Sequence, residues 1–114
     1  MAIIDQDLID KLNQLLADHP ASVTRLISTP DHNAQVGGAA GSAHVQGKAV
    51  DLVFDSYQEL VTASAFALTL GFGGVELDLT NQHLHLDTMP RVWQVVHHGP
   101  GQEGPLNQWL LSQV

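Results

Sequence analysis

The sequence has no cysteine, few basic residues and no long apolar run. Without cysteine, disulfide bonds and thiolate metal ligands are excluded, so any metal ion must be held by His, Asp or Glu. Residues 1–10 carry three aspartates and no basic residue, which is not the pattern of a secretory signal. No stretch approaches the roughly 20 apolar residues of a membrane span. We therefore expect cytoplasmic synthesis and no membrane partner.

The small number of basic residues argues against partners that carry negative charge. Four Lys and Arg residues stand against twelve Asp and Glu residues, giving a formal charge of -8. Because this charge repels a phosphate backbone, nucleic-acid binding is not expected. A chain of 114 residues can build one compact domain. What stands out instead is a set of seven histidines, since neutral imidazole is a common zinc ligand and proton carrier.

Apolar periodicity and turn residues predict the elements of the first half. Leucines and isoleucines at helical spacing over residues 5–18 predict an amphipathic helix with Asp5 as its N-cap. Residues 22–28 are rich in β-branched side chains and predict a strand, and residues 29–42 have the Gly, Pro and Asn content of a long loop. Residues 48–54 predict a second strand. A loop of this length in a small domain is usually functional or disordered.

The second half predicts a helix, a hairpin and a short terminal helix. Ser56 and Glu59 have capping-box spacing, and Gly71 follows the last helical residues. Two short alternating runs over residues 73–79 and 83–87 predict a β-hairpin. A Gly- and Pro-rich linker is expected over residues 99–104, before a helix that starts at Pro105. The predicted fold class is α+β, with a small, mainly antiparallel sheet and flanking helices.

The segment His83-Leu-His85-Leu-Asp87 places three polar side chains on one face of a strand and two leucines on the other. The leucines would anchor the strand in the core while the polar groups face a common space. An alternative interpretation is the solvated face of an edge strand, without a specific role.

A second segment, Ser42 to Asp51, ends in a carboxylate that a strand would hold. Gly47 can turn the chain so that His44, at the end of the loop, and Asp51 converge. Small Ala49 would leave room beside Asp51 on the same face. Two imidazoles and one carboxylate form a sufficient protein ligand set for catalytic zinc, with a fourth position for water.

These motifs resemble the M15 peptidases, whose members include zinc D-Ala-D-Ala carboxypeptidases and phage endolysins. Residues 42–51 match the pattern Ser-x-His-x-x-Gly-x-Ala-x-Asp, and His83-Leu-His85 matches the His-x-His of several members. The similarity extends over roughly residues 22–90. It implies a hedgehog/DD-peptidase-like fold and hydrolysis of a peptide bond in bacterial peptidoglycan stem peptides, with zinc as cofactor.

The resemblance also assigns roles to particular residues. It implies that His44, Asp51 and His85 are the zinc ligands and that His83 is the catalytic histidine, because Gln82 stands where some members have a carboxylate. Residues 1–98 would then form the zinc peptidase domain, and residues 99–114 a linker and C-terminal helix packed on it. Ser42 is a candidate substrate-binding residue. An alternative is a non-catalytic, zinc-containing wall-binding or phage structural module.

One departure concerns an arginine that family members commonly place five residues before the loop asparagine. That position is Ser28 here, so either Arg25 or Arg91 takes its place, or no arginine is used. Without it the case for a carboxypeptidase, which must bind a free C-terminus, is weaker than that for an endopeptidase. The sequence does not predict an oligomeric state.

The other site candidates are given simpler roles. Asp87 can orient His85 or His83, or face solvent. Trp93 is expected to be a core or docking residue. His97 and His98 are adjacent, so their side chains point in different directions and a metal site is not expected there.

Overall fold

A computed structural model describes residues 4–26, 46–99 and 102–113 of the chain. The elements in these residues are α1 (Gln6–Asp18), β1 (Ser22–Arg25), β2 (Ala49–Val53), α2 (Tyr57–Thr69), β3 (Gly74–Asp78), β4 (His83–Asp87), β5 (Trp93–Gly99), β6 (Gln102–Pro105) and α3 (Leu106–Leu111). The predicted α+β class is therefore confirmed. None of the helices in the described ranges is both long and apolar enough to cross a bilayer.

The six strands form one sheet in the order β1-β2-β4-β3-β5-β6. β3 and β5 run parallel, and the other adjacent pairs are antiparallel. The sheet is thus mixed, which corrects the prediction of a mainly antiparallel one. The reason is that β4 is already paired on both edges, with β2 and β3, so β5 joins the sheet at the outer edge of β3. A short connection reverses the chain after β4, and β5 consequently runs in the direction of β3.

Strand β6 at the C-terminal edge of the sheet was not expected, because its segment is rich in Gly and Pro. β6 (Gln102–Pro105) pairs with β5 and overlaps the linker predicted over residues 99–104. The linker prediction is wrong at residues 102–104, because backbone pairing with an open strand edge does not require an apolar sequence. Pro105 ends the strand and occupies the N-cap position of α3, and Leu106 at the start of α3 is fully buried.

The two long helices begin at the predicted caps. The side chain of Asp5 accepts a hydrogen bond from the Leu8 amide at 3.3 Å. That of Ser56 accepts one from the Glu59 amide at 3.1 Å. Each cap satisfies an amide that has no partner within its helix, a contribution of about 1 kcal/mol.

The core lies between the helices and one face of the sheet. Alternate strand residues point into it and are fully buried, namely Val50, Leu52, Val75, Leu77, Leu84, Leu86 and Val96. Burial of each such side chain is worth about 1.5–3 kcal/mol. The intervening residues therefore project from the opposite face of the sheet, which carries the polar side chains.

Candidate metal centre on the polar face of the sheet

Asp51 and His85 face each other across two neighbouring strands. Asp51 lies in the middle of β2 and is paired with His85 of β4 in the antiparallel register. Directly opposed residues of such a pair project from the same face of a sheet. Oδ1 of Asp51 lies 3.0 Å from Nδ1 of His85, and both residues are partly buried. The alternation of leucine and polar residues in β4 thus places His85 as predicted.

The other ring nitrogen of His85 contacts Asp87. Nε2 of His85 lies 2.8 Å from Oδ2 of Asp87, whose side chain is fully buried. Arg91 donates to both carboxylate oxygens of Asp87, at 2.7 and 2.8 Å. The Met89 amide donates to Asp87 as well, at 3.2 Å. Of the roles considered for Asp87, the structure shows contact with His85 and not exposure to solvent.

The two carboxylates control the ionisation of His85. Burial lowers the pKa of His85, but the hydrogen bonds and negative charges of Asp51 and Asp87 outweigh it and raise the pKa to about 9. Burial likewise raises the pKa of Asp87, but hydrogen bonds from His85 and Arg91 prevail and lower it to about 2. Asp87 is therefore an ionised acceptor, and Nε2 of His85 is the donor in their contact.

Arg91 and Trp93 lie beside the His85–Asp87 pair. The guanidinium of Arg91 lies over the Trp93 ring, 5.3 Å from its centroid. The Trp93 ring meets that of His85 edge-on, with centroids 6.1 Å apart. Trp93 is half-buried on the polar face of the sheet beside His85, which excludes the core role that was one of the two expected for it. Its ring therefore packs beside the imidazole of His85.

His83 lies two residues before His85 on the same face of β4. Its cross-strand partners are Val53 on β2 and Asp78 on β3. Two residues along a strand are about 6.5–7 Å apart, so His83 is beside the Asp51–His85 pair without being part of it. Its half-buried position leaves the ring accessible from solvent.

Arg25 reaches the same face through an irregularity in β1. The register between β1 and β2 shifts between Val23 and Arg25, which places Arg25 opposite Asp51. Such a bulge re-aims the side chains that follow it. Arg91, the other candidate for the arginine of the family, is held by Asp87 instead. Of the two, Arg25 is the arginine next to Asp51 in register.

The remaining predicted site residues, Ser42 and His44, lie outside the described residues. The chain that leads from them to β2 passes through Gly47, whose φ of 70° is left-handed and favours glycine. The carbonyl of Gly47 accepts a hydrogen bond from the Asp5 amide at 2.8 Å. The predicted turn at Gly47 is thus present.

The donor atoms of Asp51 and His85 suit a zinc ion. Two ligand atoms that each lie about 2.0–2.2 Å from one tetrahedral ion are about 3.3–3.6 Å from each other. The separation of 3.0 Å between Oδ1 and Nδ1 is that of a hydrogen bond, and a small outward shift of the two side chains would bring these atoms to the spacing of zinc ligands. A ligand histidine usually donates its second N–H to a carboxylate, as His85 does to Asp87. A further imidazole would complete the ligand set.

Glu76 was not singled out in the sequence, yet it is the cross-strand partner of His85 on the side away from Asp51. The alternation of residues 74–78 could have predicted this position. Because Val75 and Leu77 are buried, Glu76 between them must project from the polar face. The acidic character of this face therefore extends from β2 to β3.

The motifs on β2 and β4 fall within a region that matches a known family. The profile of the family described as Peptidase M15 matches residues 2–87, which is most of the chain. No curated protein and no solved structure matches the chain significantly, so the hedgehog/DD-peptidase-like fold stays a prediction. The match covers Asp51, His83 and His85, the residues around which the candidate site is built. The chain belongs to the peptidase M15 family.

Proposed function

We propose that this protein is a zinc metallopeptidase that hydrolyses a peptide bond in bacterial peptidoglycan stem peptides. The observation that carries the proposal is the contact of Asp51 with Nδ1 of His85, while Nε2 of the same ring donates to Asp87. Membership of the peptidase M15 family supports the reaction type. The identities of the metal as zinc and of the substrate as peptidoglycan are proposed here together with the reaction.

In this proposal His44, Asp51 and His85 hold the ion. A zinc ion bound by them would supply Lewis acidity, to activate a water molecule and polarise the scissile carbonyl. Asp87 accepts the hydrogen bond of Nε2 of His85, which would leave Nδ1 as the nitrogen available to bind an ion. Arg91 in turn fixes Asp87 by two parallel hydrogen bonds. The ring of His85 is thereby held in place before substrate binds.

His83 is the proposed proton-transfer residue. It projects from the same face as His85 and is half-buried, so a peptide lying over the face would reach both rings. An imidazole changes its charge near neutral pH and can take a proton from the attacking water and return it to the leaving amine. Gln82, at the position of the carboxylate in some members, has no group that could do this.

Arg25 and Ser42 are the proposed substrate-binding residues. The position of Arg25 opposite Asp51 lets a guanidinium approach a carbonyl or carboxylate oxygen of a peptide held over β2. A free C-terminal carboxylate bound there would make the enzyme a carboxypeptidase. An internal carbonyl bound there would make it an endopeptidase, which we favour because the usual arginine position is Ser28.

The experiment is digestion of purified peptidoglycan by the zinc-loaded protein, followed by mass spectrometry of the released fragments. We expect new amine and carboxyl ends within stem peptides, abolished by a chelator and restored by Zn²⁺. Asp51→Asn should lose both the ion and turnover, and His83→Ala should lose turnover while keeping the ion. His98→Ala, which changes an exposed histidine of β5, is the matched control and should digest normally.

Zinc bound by the wild type without any new chain ends would refute the peptidase proposal. That outcome would favour the alternative, a non-catalytic wall-binding or phage structural module. A small amide or ester cleaved in place of peptidoglycan would contradict the proposed substrate but not the proposed ligands. Activity that persists in fully metal-free protein would contradict the proposed zinc.

A further inference from the structure

A second group of possible metal ligands lies on the other half of the polar face. Glu76 of β3, His97 of β5 and Glu103 of β6 each offer one donor atom, and these three atoms lie within 4.8 Å of one another. Glu76 and His97 are partly buried and Glu103 is exposed. The sequence did not predict this group, because its members come from three separate strands.

The pairing of the strands brings the three side chains together. His97 is directly opposite Glu103 in the antiparallel β5–β6 pair. His97 is also opposite Asp78 of β3, so Glu76 lies diagonally across from it, two residues earlier on β3. All three consequently project from one face of the sheet. Backbone hydrogen bonding fixes this arrangement, since none of the three residues lies in a loop.

One nitrogen atom of His97, Nε2, contacts the carboxylates of both Glu76 and Glu103. Nε2 lies 2.5 Å from Oε2 of Glu76 and 3.1 Å from Oε1 of Glu103. A ring nitrogen has either one proton or one lone pair, so it cannot make a linear hydrogen bond to both oxygens. Two carboxylates held this close also repel each other. A divalent cation among the three atoms would bind both oxygens and the nitrogen lone pair at once.

We propose that Glu76, His97 and Glu103 form a second metal site, which binds a divalent transition-metal ion of the Zn²⁺ type. An imidazole with two carboxylates is a ligand set that suits Zn²⁺ and its neighbours, whereas Ca²⁺ and Mg²⁺ prefer oxygen ligands alone. Three protein ligands leave positions for water or a further group. The partial exposure of the site gives an ion access from solvent.

The second site uses ligands other than those of the proposed catalytic one, although Glu76 pairs with His85 between β3 and β4. His97 and Glu103 lie beyond residues 2–87, the part of the chain that the family profile matches. No ligand is shared with Asp51 and His85. An ion here would join β3 to β5 and β6 and so hold the C-terminal edge of the sheet against the centre. We therefore assign the second ion a structural role, in which its removal loosens β5 and β6.

The test is zinc stoichiometry in protein stripped by a chelator and dialysed against buffered Zn²⁺ at low micromolar free concentration, with metal measured by mass spectrometry. The wild type should bind two equivalents. His97→Gln and Glu103→Gln should each bind one, while the control His98→Gln, which changes the next residue on the opposite face of β5, should bind two. Zn²⁺ should also slow amide hydrogen exchange in β5 and β6, in the wild type but not in His97→Gln.

Asp51→Asn separates this inference from the proposed function. If Asp51→Asn loses one equivalent and the double variant Asp51→Asn/His97→Gln loses both, the second site stands. If Asp51→Asn retains all zinc but His97→Gln loses an equivalent, the second site stands and the proposed catalytic ligands are wrong. Equal zinc content in the wild type, His97→Gln and Glu103→Gln would overturn the second site, whatever Asp51→Asn shows.

Discussion

Nε2 of His85 donates a hydrogen bond to the buried carboxylate of Asp87 at 2.8 Å, and this contact decides which ring nitrogen is left for Asp51. Because Asp87 stays ionised, the proton remains on Nε2 when a metal ion displaces the one on Nδ1. The tautomer of His85 is therefore set by a residue that does not itself approach the proposed ion. Its importance can be tested without touching a ligand.

Asp87→Asn should weaken zinc binding by about 10–100-fold, because loss of the carboxylate partner of a ligand histidine has effects of this size. The amide also cannot accept both hydrogen bonds of Arg91, so the His85 ring is held less firmly. Competition with a chromogenic chelator measures the affinity. Asp55→Asn, on an exposed aspartate, is the control. Equal affinities in the two variants would show that Asp87 has no positioning role.

Gly74→Ala, a substitution on the neighbouring strand β3, should displace the Asp87–Arg91 ion pair and destabilise the protein. A Cβ atom on Gly74 would lie 2.2 Å from Oδ2 of Asp87 and 2.7 Å from Nη1 of Arg91, which is closer than such atoms can approach. Relief requires the Asp87–Arg91 pair to move, and we expect a loss of about 2–4 kcal/mol in the free energy of unfolding. Denaturant titration measures this loss.

Gly104→Ala is the control for that substitution. A Cβ atom there would meet only a methyl group of Val96, at 3.9 Å, which is ordinary van der Waals contact. We expect a change within about 1 kcal/mol. A Gly74→Ala protein as stable as Gly104→Ala would mean that the Asp87–Arg91 pair is not rigidly placed.

Local patterns in the sequence were sufficient for the elements next to the proposed site. The alternation of residues 83–87 correctly predicted which side chains of β4 share a face, and Ser56 correctly predicted the start of α2. These features depend on neighbouring residues in the chain, through the geometry of a strand or a helix. For the same reason they could be recognised without knowledge of the fold.

What the sequence did not predict depends on pairing between distant segments. The parallel contact of β3 with β5 follows from which strand edges are free, and β6 forms by pairing with an open edge. Likewise, only the register shift in β1 shows that Arg25 lies opposite Asp51. The group of Glu76, His97 and Glu103 combines three strands and has no local signature. Such contacts are set by tertiary structure.

Arg25→Ala tests the proposed substrate contact. If the guanidinium binds an oxygen of the substrate, its loss should lower kcat/KM by about 10–100-fold, the equivalent of one hydrogen bond to a charged group. Zinc content should be unchanged. Lys11→Ala, which removes a cation from α1 paired with Asp7, is the control and should leave kcat/KM unchanged. Equal kcat/KM in both variants would exclude Arg25 from substrate binding.

Asp78 provides a pH-dependent contribution to the hairpin that carries His83. Its Oδ1 accepts hydrogen bonds from the Thr80 amide at 3.0 Å and the Asn81 amide at 3.3 Å, and Oδ2 accepts one from the Asn81 side chain. Burial raises the pKa of Asp78, but these hydrogen bonds outweigh it, so the pKa lies below its ordinary value of 3.8. The ionised carboxylate therefore stabilises the turn between β3 and β4.

The sign of the effect follows from the lowered pKa. A carboxyl group that is more acidic in the folded than in the unfolded protein adds stability above its unfolded pKa, and loses that contribution as the pH falls through the folded value. Asp78→Asn keeps an acceptor oxygen but cannot ionise. The wild type should therefore be more stable than Asp78→Asn at neutral pH, by about 1 kcal/mol, and this difference should shrink below pH 3.8. Denaturant unfolding of both proteins across this pH range measures the difference, and a constant difference would show that the charge of Asp78 does not support the turn.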